Sequence, residues 1–396
     1  EVAGAYGDAE LTFGPEYLIP KPFDPRLIAR IAPAVAKAAM DSGVATRPIA
    51  DLEAYAEKLT EFVYKTSLFM RPVFNQARKD IKRIVLTEGE DERVLHAAQQ
   101  VVSQKLAFPI LVGDAKLIEE RLHSQGLTIQ PGKDFELVDI KNSPYYEASW
   151  KEYYNLRKRK GVTEEMARRR LKANSTLVGA LLVRLGHADG LVCGTMGRFH
   201  DHFAVMEEVI GYNNPEREAF AMNALISNKG NFFIADTYIN ENPTAEQLAK
   251  GTLMCAAEMK RFGLKPKVAL VSNTNYGSNR NPDANKMQQA LELIRELDPA
   301  LEIDGEMQAD VALDEEMRKS IFPETTLNGA ANLLVMPNVE AANISYNLLR
   351  VNATNGITVG PILMGLNKPV QIVTPISTVR RIVNMIALAA VDAQRQ

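Results

Sequence analysis

The sequence has few cysteines and no long apolar run. Its 396 residues include only Cys193 and Cys255, too few for a disulfide framework, which favours a reducing compartment. No apolar run approaches about 18 residues, and the N-terminus has no signal-peptide pattern. We therefore expect a cytoplasmic protein that neither spans nor binds a membrane.

An excess of charge of one sign is also missing. The formal net charge of −3 gives no sign of the excess positive charge that is typical of nucleic-acid-binding proteins. The dense basic runs, Lys158–Lys160 and Arg168–Arg170, lie in a helical pattern, where a solvated face is a better interpretation than a nucleotide phosphate contact. The sequence has no Gly-x-Ser-x-Gly elbow, P-loop or Gly-x-Gly-x-x-Gly motif, and no nucleophile is identified.

Short apolar runs alternate with helical patterns along most of the chain. This alternation predicts an α/β fold of two subdomains with mostly parallel sheets and a cleft between them. The second half is expected to begin near Phe220, and the C-terminal helix to cross back to the first half. The predicted strands are Arg83–Thr87, Pro109–Gly113, Asp189–Cys193, Phe232–Asp236, Lys267–Ser272, Leu333–Pro337, Thr358–Leu363 and Val370–Thr374. The predicted helices include Glu90–Gln104, Thr163–Leu185, Thr244–Phe262, Asn285–Glu296 and Arg380–Gln394.

The N-terminal part has a different character. Four prolines between Pro15 and Pro25 predict an extended strap over residues 14–27, and the alanine-rich Ile28–Met40 predicts a helix. A second helix is predicted over Ile49–Phe69, followed by a charged linker. We thus divide the chain into a tail (1–45), a helical linker (46–82) and a main domain (83–396) with an internal boundary near 220. Because it opens without Met, we expect a fragment of a longer protein.

Two families are recognisable in these segments. Ile19-Pro-Lys-Pro-Phe-Asp-Pro-Arg26, with the helix that ends in Gly43-Val-Ala45, resembles the C-terminal end of the bacterial malic enzymes. From Ile81 onwards the chain resembles the phosphate acetyltransferases. The motifs that carry this second resemblance are Asp189–His202, Gly305–Asp310, Ala330–Tyr346 and Lys368–Asn384.

The last of these motifs has lost the residues that the family uses for catalysis. Thr374 stands where the family has Ser, Pro375 where it has Arg, Ile376 where it has Gly, and Arg381 where it has Asp. Proline offers no N–H donor to an acyl phosphate. Arginine cannot accept a proton at physiological pH. We therefore expect the scaffold to be kept without the transferase chemistry.

The loop after Cys193 also departs from the family's pattern. Gly197-Arg198-Phe199 replace the family's His-Ser-Thr, and Ala204 replaces its Arg. His200 and His202 would share a face if they lay on a strand, but no third metal ligand has suitable spacing, and no metal is predicted.

The polar loop Ser272–Asn279 follows a predicted strand, at the end where open α/β sheets bind ligands. Its small side chains would let backbone amides approach a phosphate or a carbonyl, although a capped polar turn explains them too. Together with the resemblance, this suggests a set of candidate contacts for acetyl-CoA. They are Arg198, Asn275, Tyr276, Gly277, Ser278, Asn343, Tyr346, Arg350, Thr374, Pro375, Ile376 and Ser377.

The combined resemblance implies the C-terminal module of a hybrid bacterial malic enzyme. That family oxidatively decarboxylates malate to pyruvate with NADP and Mg²⁺ or Mn²⁺ in an upstream domain. The module itself is implied to need no cofactor, to bind acetyl-CoA as an inhibitor, and to assemble the homo-oligomer (a dimer of this domain, a hexamer of the parent). Two alternatives stay open. One is an active acetyltransferase, and the other is a structural module whose cleft is filled by bulky residues such as Phe199 and Ile376.

Overall fold

The computed structural model describes residues 25–139, 142–227, 230–279, 281–352 and 357–395. Eleven strands lie in these residues: β1 (Arg83–Leu86), β2 (Phe108–Gly113), β3 (Glu136–Asp139), β4 (Gly190–Cys193), β5 (Phe220–Ser227), β6 (Gly230–Ala235), β7 (Lys267–Val271), β8 (Glu302–Met307), β9 (Leu333–Val335), β10 (Ile357–Met364) and β11 (Val370–Ile372). All eight predicted strands are among them.

The helices surround these strands. They are α1 (Pro25–Asp41), α2 (Leu52–Ala77), α3 (Glu92–Ser103), α4 (Ala115–Ser124), α5 (Tyr146–Arg157), α6 (Glu164–Ala173), α7 (Ser175–Arg184), α8 (Phe199–Val209), α9 (Ala245–Arg261), α10 (Pro282–Leu297), α11 (Ala309–Leu313), α12 (Glu315–Ile321), α13 (Val339–Asn352) and α14 (Val379–Ala393). A 3₁₀ turn, Lys158–Lys160, follows α5. Among the described residues, no helix is long and apolar enough to cross a membrane.

Two sheets form the two halves of the molecule. The first has the order β11-β4-β1-β2-β3, and all its pairings are parallel. The second has the order β10-β5-β6-β9-β7-β8. In it, β5 runs antiparallel to both β10 and β6, and the other pairings are parallel. The predicted α/β class with mostly parallel sheets is confirmed.

The C-terminal segment links the halves. After β10 in the second sheet, the chain returns to the first sheet as β11 and continues into α14. Most of α14 is buried, and it contacts α2, α3, β4 and β10. A single apolar cluster therefore includes residues of both sheets and of α14, for example Leu86, Phe233 and Ile386. The expected crossing of the last helix back to the first half is confirmed.

Several sequence predictions were incomplete or wrong. The strands Glu136–Asp139, Phe220–Ser227 and Glu302–Met307 were missed; the first and last carry buried or paired acidic residues that obscure an apolar run. Thr163–Leu185 is two helices, because the Asn174 side chain accepts a hydrogen bond from Leu177 N and starts a new helix.

The predicted N-terminal boundaries also change. The second helix continues past Phe69 to Ala77, so little of the expected charged linker remains. Residues 25–27 begin α1 rather than ending an extended strap, since proline fits the first turn of a helix, where its missing N–H has no partner. The rest of the strap, residues 14–24, lies outside the described residues.

Candidate functional site

Three loops meet at one edge of the first sheet. The strands β1, β4 and β11 are neighbours and parallel, so the loops after their carboxyl ends lie side by side. The side chain of Arg93 connects the three loops. The sequence alone did not identify this residue. Its Nη1 donates to the carbonyl oxygens of Pro375 (2.5 Å) and Ser377 (3.1 Å), and its Nη2 donates to Thr195 O (3.0 Å). Asp91 holds the guanidinium through two further bonds of 3.0 and 2.6 Å.

The turn after β11 closes on itself. Thr374 N donates to Ser377 Oγ (3.1 Å), the two hydroxyl oxygens are 3.3 Å apart, and Ser377 N donates to Thr374 O (2.9 Å). Both hydroxyl side chains are buried. Pro375 and Ile376, at the tip of this turn, are exposed, and the exposed fraction of Ile376 is 64%. Ile376 therefore does not fill a cleft in this chain.

A buried acidic residue lies beneath the same loops. Glu88 follows β1 and is 7% exposed. It accepts hydrogen bonds from Gly194 N (3.1 Å) and from the Thr87 hydroxyl (2.9 Å). Burial raises the pKa of Glu88, whereas the nearby His202 and these donors act in the opposite direction. Sequence reasoning missed it, although an acidic residue at the end of an apolar strand is a usable signal.

His202 completes this network. Its Nε2 lies 2.7 Å from Met196 O and its Nδ1 lies 2.8 Å from the Thr176 hydroxyl. A carbonyl oxygen can only accept, so Nε2 carries a proton. His200 and His202 do not share a face, because both belong to α8, where residues two apart point in different directions. No group of residues suited to a metal ion occurs in the described part of the chain.

Arg198 and Phe199, which replace family residues in the loop after Cys193, have separate roles. Arg198 is 84% exposed at its side chain and pairs with Asp201 through bonds of 2.9 and 3.1 Å. Phe199 is buried and stacks on Tyr238, with ring centroids 4.8 Å apart. Since Tyr238 follows β6 of the second sheet, this stack is a contact between the two halves.

On the second half, α13 presents polar groups towards the same region. Asn343 donates to Thr237 O (3.1 Å), and Tyr346 is 2% exposed. The guanidinium of Arg350 lies 5.8 Å from the Tyr346 ring centre. Burial raises the pKa of Tyr238; the charge of the neighbouring Tyr346 acts in the same direction, and the Arg381 and Arg350 guanidinium groups act against it.

Arg381 connects this group to the turn after β11. It lies in the first turn of α14, whose N-cap, Thr378, follows Ser377 directly. Its Nη2 is 3.5 Å from the Tyr346 hydroxyl and also donates to Thr358 Oγ1. Among the predicted contacts, Arg381 bonds Tyr346, whose ring lies beside Arg350, and Arg381 begins the helix that follows the Thr374–Ser377 turn. The resulting region has hydroxyl groups and two guanidinium groups.

The polar loop after β7 is held by a second buried acid. Glu306 is fully buried and accepts from Thr274 Oγ1 (3.0 Å), Gly277 N (2.8 Å) and Gln288 Nε2 (2.9 Å). Glu306 lies on β8 and Asp310 on α11, so the two do not share one helix face.

The predicted contacts of this loop point in several directions. The amide of Asn275 exchanges hydrogen bonds with Gln308, and the Ser278 hydroxyl accepts from Asn275 N. The Tyr276 ring stacks on Phe322 at 4.3 Å, with its hydroxyl 3.5 Å from Asp304. Of the predicted contacts in this loop, Gly277 and Ser278 are exposed.

Both cysteines are fully buried, and burial raises their pKa values well above the ordinary range of a thiol. Neither is therefore an activated nucleophile. The region around Thr374 can donate hydrogen bonds and attract an anion, but the position where the resemblance expects a carboxylate holds a cation.

Comparison with known proteins gives consistent results. Residues 68–390 match the family described as Phosphate acetyl/butaryl transferase. The chain is 58% identical over 393 residues to an NADP-dependent malic enzyme of Salmonella typhimurium, covering 99% of this chain and 52% of that protein. It is 33% identical over 331 residues to a phosphate acetyltransferase of Corynebacterium glutamicum, covering 82% and 98% respectively. A solved phosphotransacetylase from Streptococcus pyogenes aligns with a TM-score of 0.77 at 28% identity, covering 84% of this chain and 99% of that one.

Proposed function

Since the chain belongs to the phosphate acetyl/butaryl transferase family and spans about half the length of the malic enzymes it matches, we propose that it is a regulatory and assembly module of an NADP-dependent malic enzyme. The parent protein would be cytoplasmic and would oxidatively decarboxylate malate to pyruvate in an upstream domain that holds NADP and Mg²⁺ or Mn²⁺. The module would bind acetyl-CoA as an allosteric inhibitor and take part in a homo-oligomer.

The observation that carries this proposal is the placement of Arg381. Its guanidinium bonds to the Tyr346 and Thr358 hydroxyl groups, at the position where the resemblance expects an aspartate. Transfer of an acetyl group between phosphate and CoA needs a proton acceptor for the thiol. A permanently charged guanidinium cannot serve as one. A positioned general base contributes about 10²- to 10⁴-fold to such a step.

Binding without chemistry is compatible with the rest of the region. The Thr374 hydroxyl and the two guanidinium groups of Arg350 and Arg381 are suited to the carbonyl and phosphate groups of an acyl-CoA. An effector changes activity only if it binds one arrangement of the protein more tightly than another. Contacts that involve both halves, such as the stack of Phe199 on Tyr238, would make affinity depend on how the halves are placed.

Calorimetric titration with acetyl-CoA, beside an assay for acetyl transfer from acetyl phosphate to CoA, tests the proposal. We expect saturable binding and no turnover above the uncatalysed rate. No binding at millimolar acetyl-CoA would contradict the effector role, and turnover at ordinary enzymatic rates would favour the active transferase instead. In the longer relatives, acetyl-CoA should lower the malate-dependent reduction of NADP.

A further inference from the structure

A cavity of about 360 Å³ lies at the edge of the first sheet opposite the region around Thr374. It borders Pro369 and Val370, at the beginning of β11, whereas Thr374 follows the other end of that strand. The end of α9 and the end of α14 complete the wall of the cavity. Its volume is within the range of pockets that bind small molecules.

The inner wall of this cavity holds an ion-pair network. The Arg261 guanidinium pairs with the carboxylates of Glu258 and Asp392, and Gln371 Nε2 donates to Asp392 (3.4 Å). Glu258 is 4% exposed. Burial and the charge of Asp392 raise the pKa of Glu258 to about 7, so part of this carboxyl group is uncharged near neutral pH. The two acids therefore repel an incoming anion less than two free carboxylates would.

Two further cations line the cavity, Lys368 and Arg395, and both are exposed. We call the part of the cavity that they line its mouth. Among the described residues, neither side chain has an ion-pair partner. Against the effect of burial, the Arg395 charge acts to lower the pKa of both Glu258 and Asp392, so its guanidinium lies near the network.

The charged residues of the wall leave an excess of positive charge. Arg261, Lys368 and Arg395 carry three positive charges, and Glu258 and Asp392 carry at most two negative ones. Because both carboxylates pair with Arg261, the excess lies at the mouth, on the two cations without a partner. Two such cations beside a cavity are suited to a dianion.

We infer that this cavity binds a small organic phosphate. The phosphate group lies at the mouth, where Lys368 and Arg395 donate charge-assisted hydrogen bonds to its oxygens. A phosphate dianion matches these two cations in charge, whereas a single carboxylate leaves one of them unpaired. The organic part lies deeper, beside the apolar side chains of Met254 and Pro369. This site is additional to the acetyl-CoA region proposed above and does not depend on it.

Equilibrium dialysis of the full chain with labelled glycerol 3-phosphate, at an ionic strength held constant with KCl, tests the inference. We expect saturable binding of one ligand per chain. Inorganic phosphate should bind more weakly because it lacks the organic part, and glycerol should not compete. Binding that does not saturate up to about 10 mM glycerol 3-phosphate would overturn the inference.

The variants Lys368→Gln and Arg395→Gln each remove one cation from the mouth. Each should weaken the binding of glycerol 3-phosphate by roughly 10-fold or more, as expected for a lost charge-assisted hydrogen bond. Both should keep the unfolding midpoint of the parent chain, since both side chains are exposed.

The matched control is Lys260→Gln. Lys260 lies in the last turn of α9, next to Arg261, but does not line the cavity. The control removes the same charge from the same part of the surface and should leave the affinity unchanged. Equal losses in all three variants would indicate a general attraction of anions to this surface and would contradict the site.

Competition with acetyl-CoA separates this inference from the proposed function. Saturating acetyl-CoA should leave the binding of glycerol 3-phosphate unchanged, and Lys368→Gln should leave the affinity for acetyl-CoA unchanged. Displacement by acetyl-CoA would mean that the two ligands share one site and would overturn the inference. If glycerol 3-phosphate binds and acetyl-CoA does not, the phosphate site stands and the effector role fails.

Discussion

The Arg381 guanidinium lies 3.5 Å from the hydroxyl of Tyr346 and joins the first turn of α14 to α13. A residue from the segment that returns to the first half thus contacts the helical layer of the second. The same side chain also bonds Thr358 on β10. Arg381 therefore acts as a cross-link between elements, in addition to removing the carboxylate expected at that position.

We predict that Arg381→Asp alone will not produce acetyl transfer. The variant restores a proton acceptor, but Pro375 still offers no cationic group for the phosphate. The double variant Arg381→Asp with Pro375→Arg should give turnover above the parent chain in the assay of acetyl phosphate with CoA. Activity of the single variant would contradict the prediction and show that the residue at 381 alone determines whether acetyl transfer occurs.

Thr374 is predicted to contribute to the binding of acetyl-CoA through its hydroxyl. Thr374→Val keeps the shape and removes the hydroxyl, so the dissociation constant measured by calorimetry should rise roughly 5- to 10-fold, as expected for one lost hydrogen bond of about 1 kcal/mol. The control is Thr326→Val, whose hydroxyl bonds Ile303 O on the second sheet. Equal effects of the two variants would mean that Thr374 does not touch the ligand.

Arg93 is expected to position the loops after β4 and β11. Arg93→Ala leaves three backbone carbonyl groups without their donor, so hydrogen exchange of the amides in residues 374–377 should speed up. The free energy of unfolding should fall by about 2–4 kcal/mol. Arg78→Ala provides a control, because Arg78 is exposed and bonds one carbonyl at the end of α3. Unchanged exchange in the Arg93 variant would show that the turn is held by Thr374 and Ser377 alone.

Tyr276→Ala should reduce stability rather than act only on a ligand. The ring stacks on Phe322 and belongs to the apolar cluster on one face of the second sheet. We expect the free energy of unfolding to fall by roughly 1–3 kcal/mol. Tyr276→Phe keeps the stack and should be close to the parent in denaturant unfolding. A large, equal loss of acetyl-CoA affinity in both variants would instead indicate a direct contact of the hydroxyl.

A pH dependence is predicted from the contact between α9 and α14. Burial, together with the negative charge of Asp392, raises the pKa of Glu258 to about 7, and Arg261 pairs with both carboxylates. A carboxyl group whose pKa is raised in the folded state contributes stability below its unfolded pKa, and this contribution is lost as pH rises through the folded value.

Glu258→Gln keeps the side chain neutral at every pH. Relative to the parent chain, its free energy of unfolding should therefore increase between pH 5 and pH 8, by up to roughly 3 kcal/mol. Glu296→Gln, at an exposed position of α10, serves as the control. Denaturant titrations at both pH values measure the difference, and a difference that is the same at pH 5 and pH 8 would contradict the assignment.

The strands that sequence patterns identified are those with uninterrupted apolar character, such as Leu333–Val335. Two of the missed strands, β3 and β8, carry acidic residues whose tertiary contacts no local pattern reveals. In β8, for example, Glu306 is buried because Thr274, Gly277 and Gln288 donate to its carboxylate. Thr274 and Gly277 lie about 30 residues away along the chain, and short-range periodicity carries no information about them.

For the candidate site, the sequence alone predicts an altered chemistry. The replacements at 375 and 381 can be interpreted from the sequence, because proline has no cationic or N–H donor and arginine cannot accept a proton in any conformation. Local sequence also determined most strands and helices, since apolar periodicity reflects burial on one face. Only the tertiary structure decided that Arg93 gathers three loops and that Arg381 reaches Tyr346. The reason is that parallel strands bring their carboxyl ends together regardless of their separation in sequence, and long side chains then act over distances set by the fold.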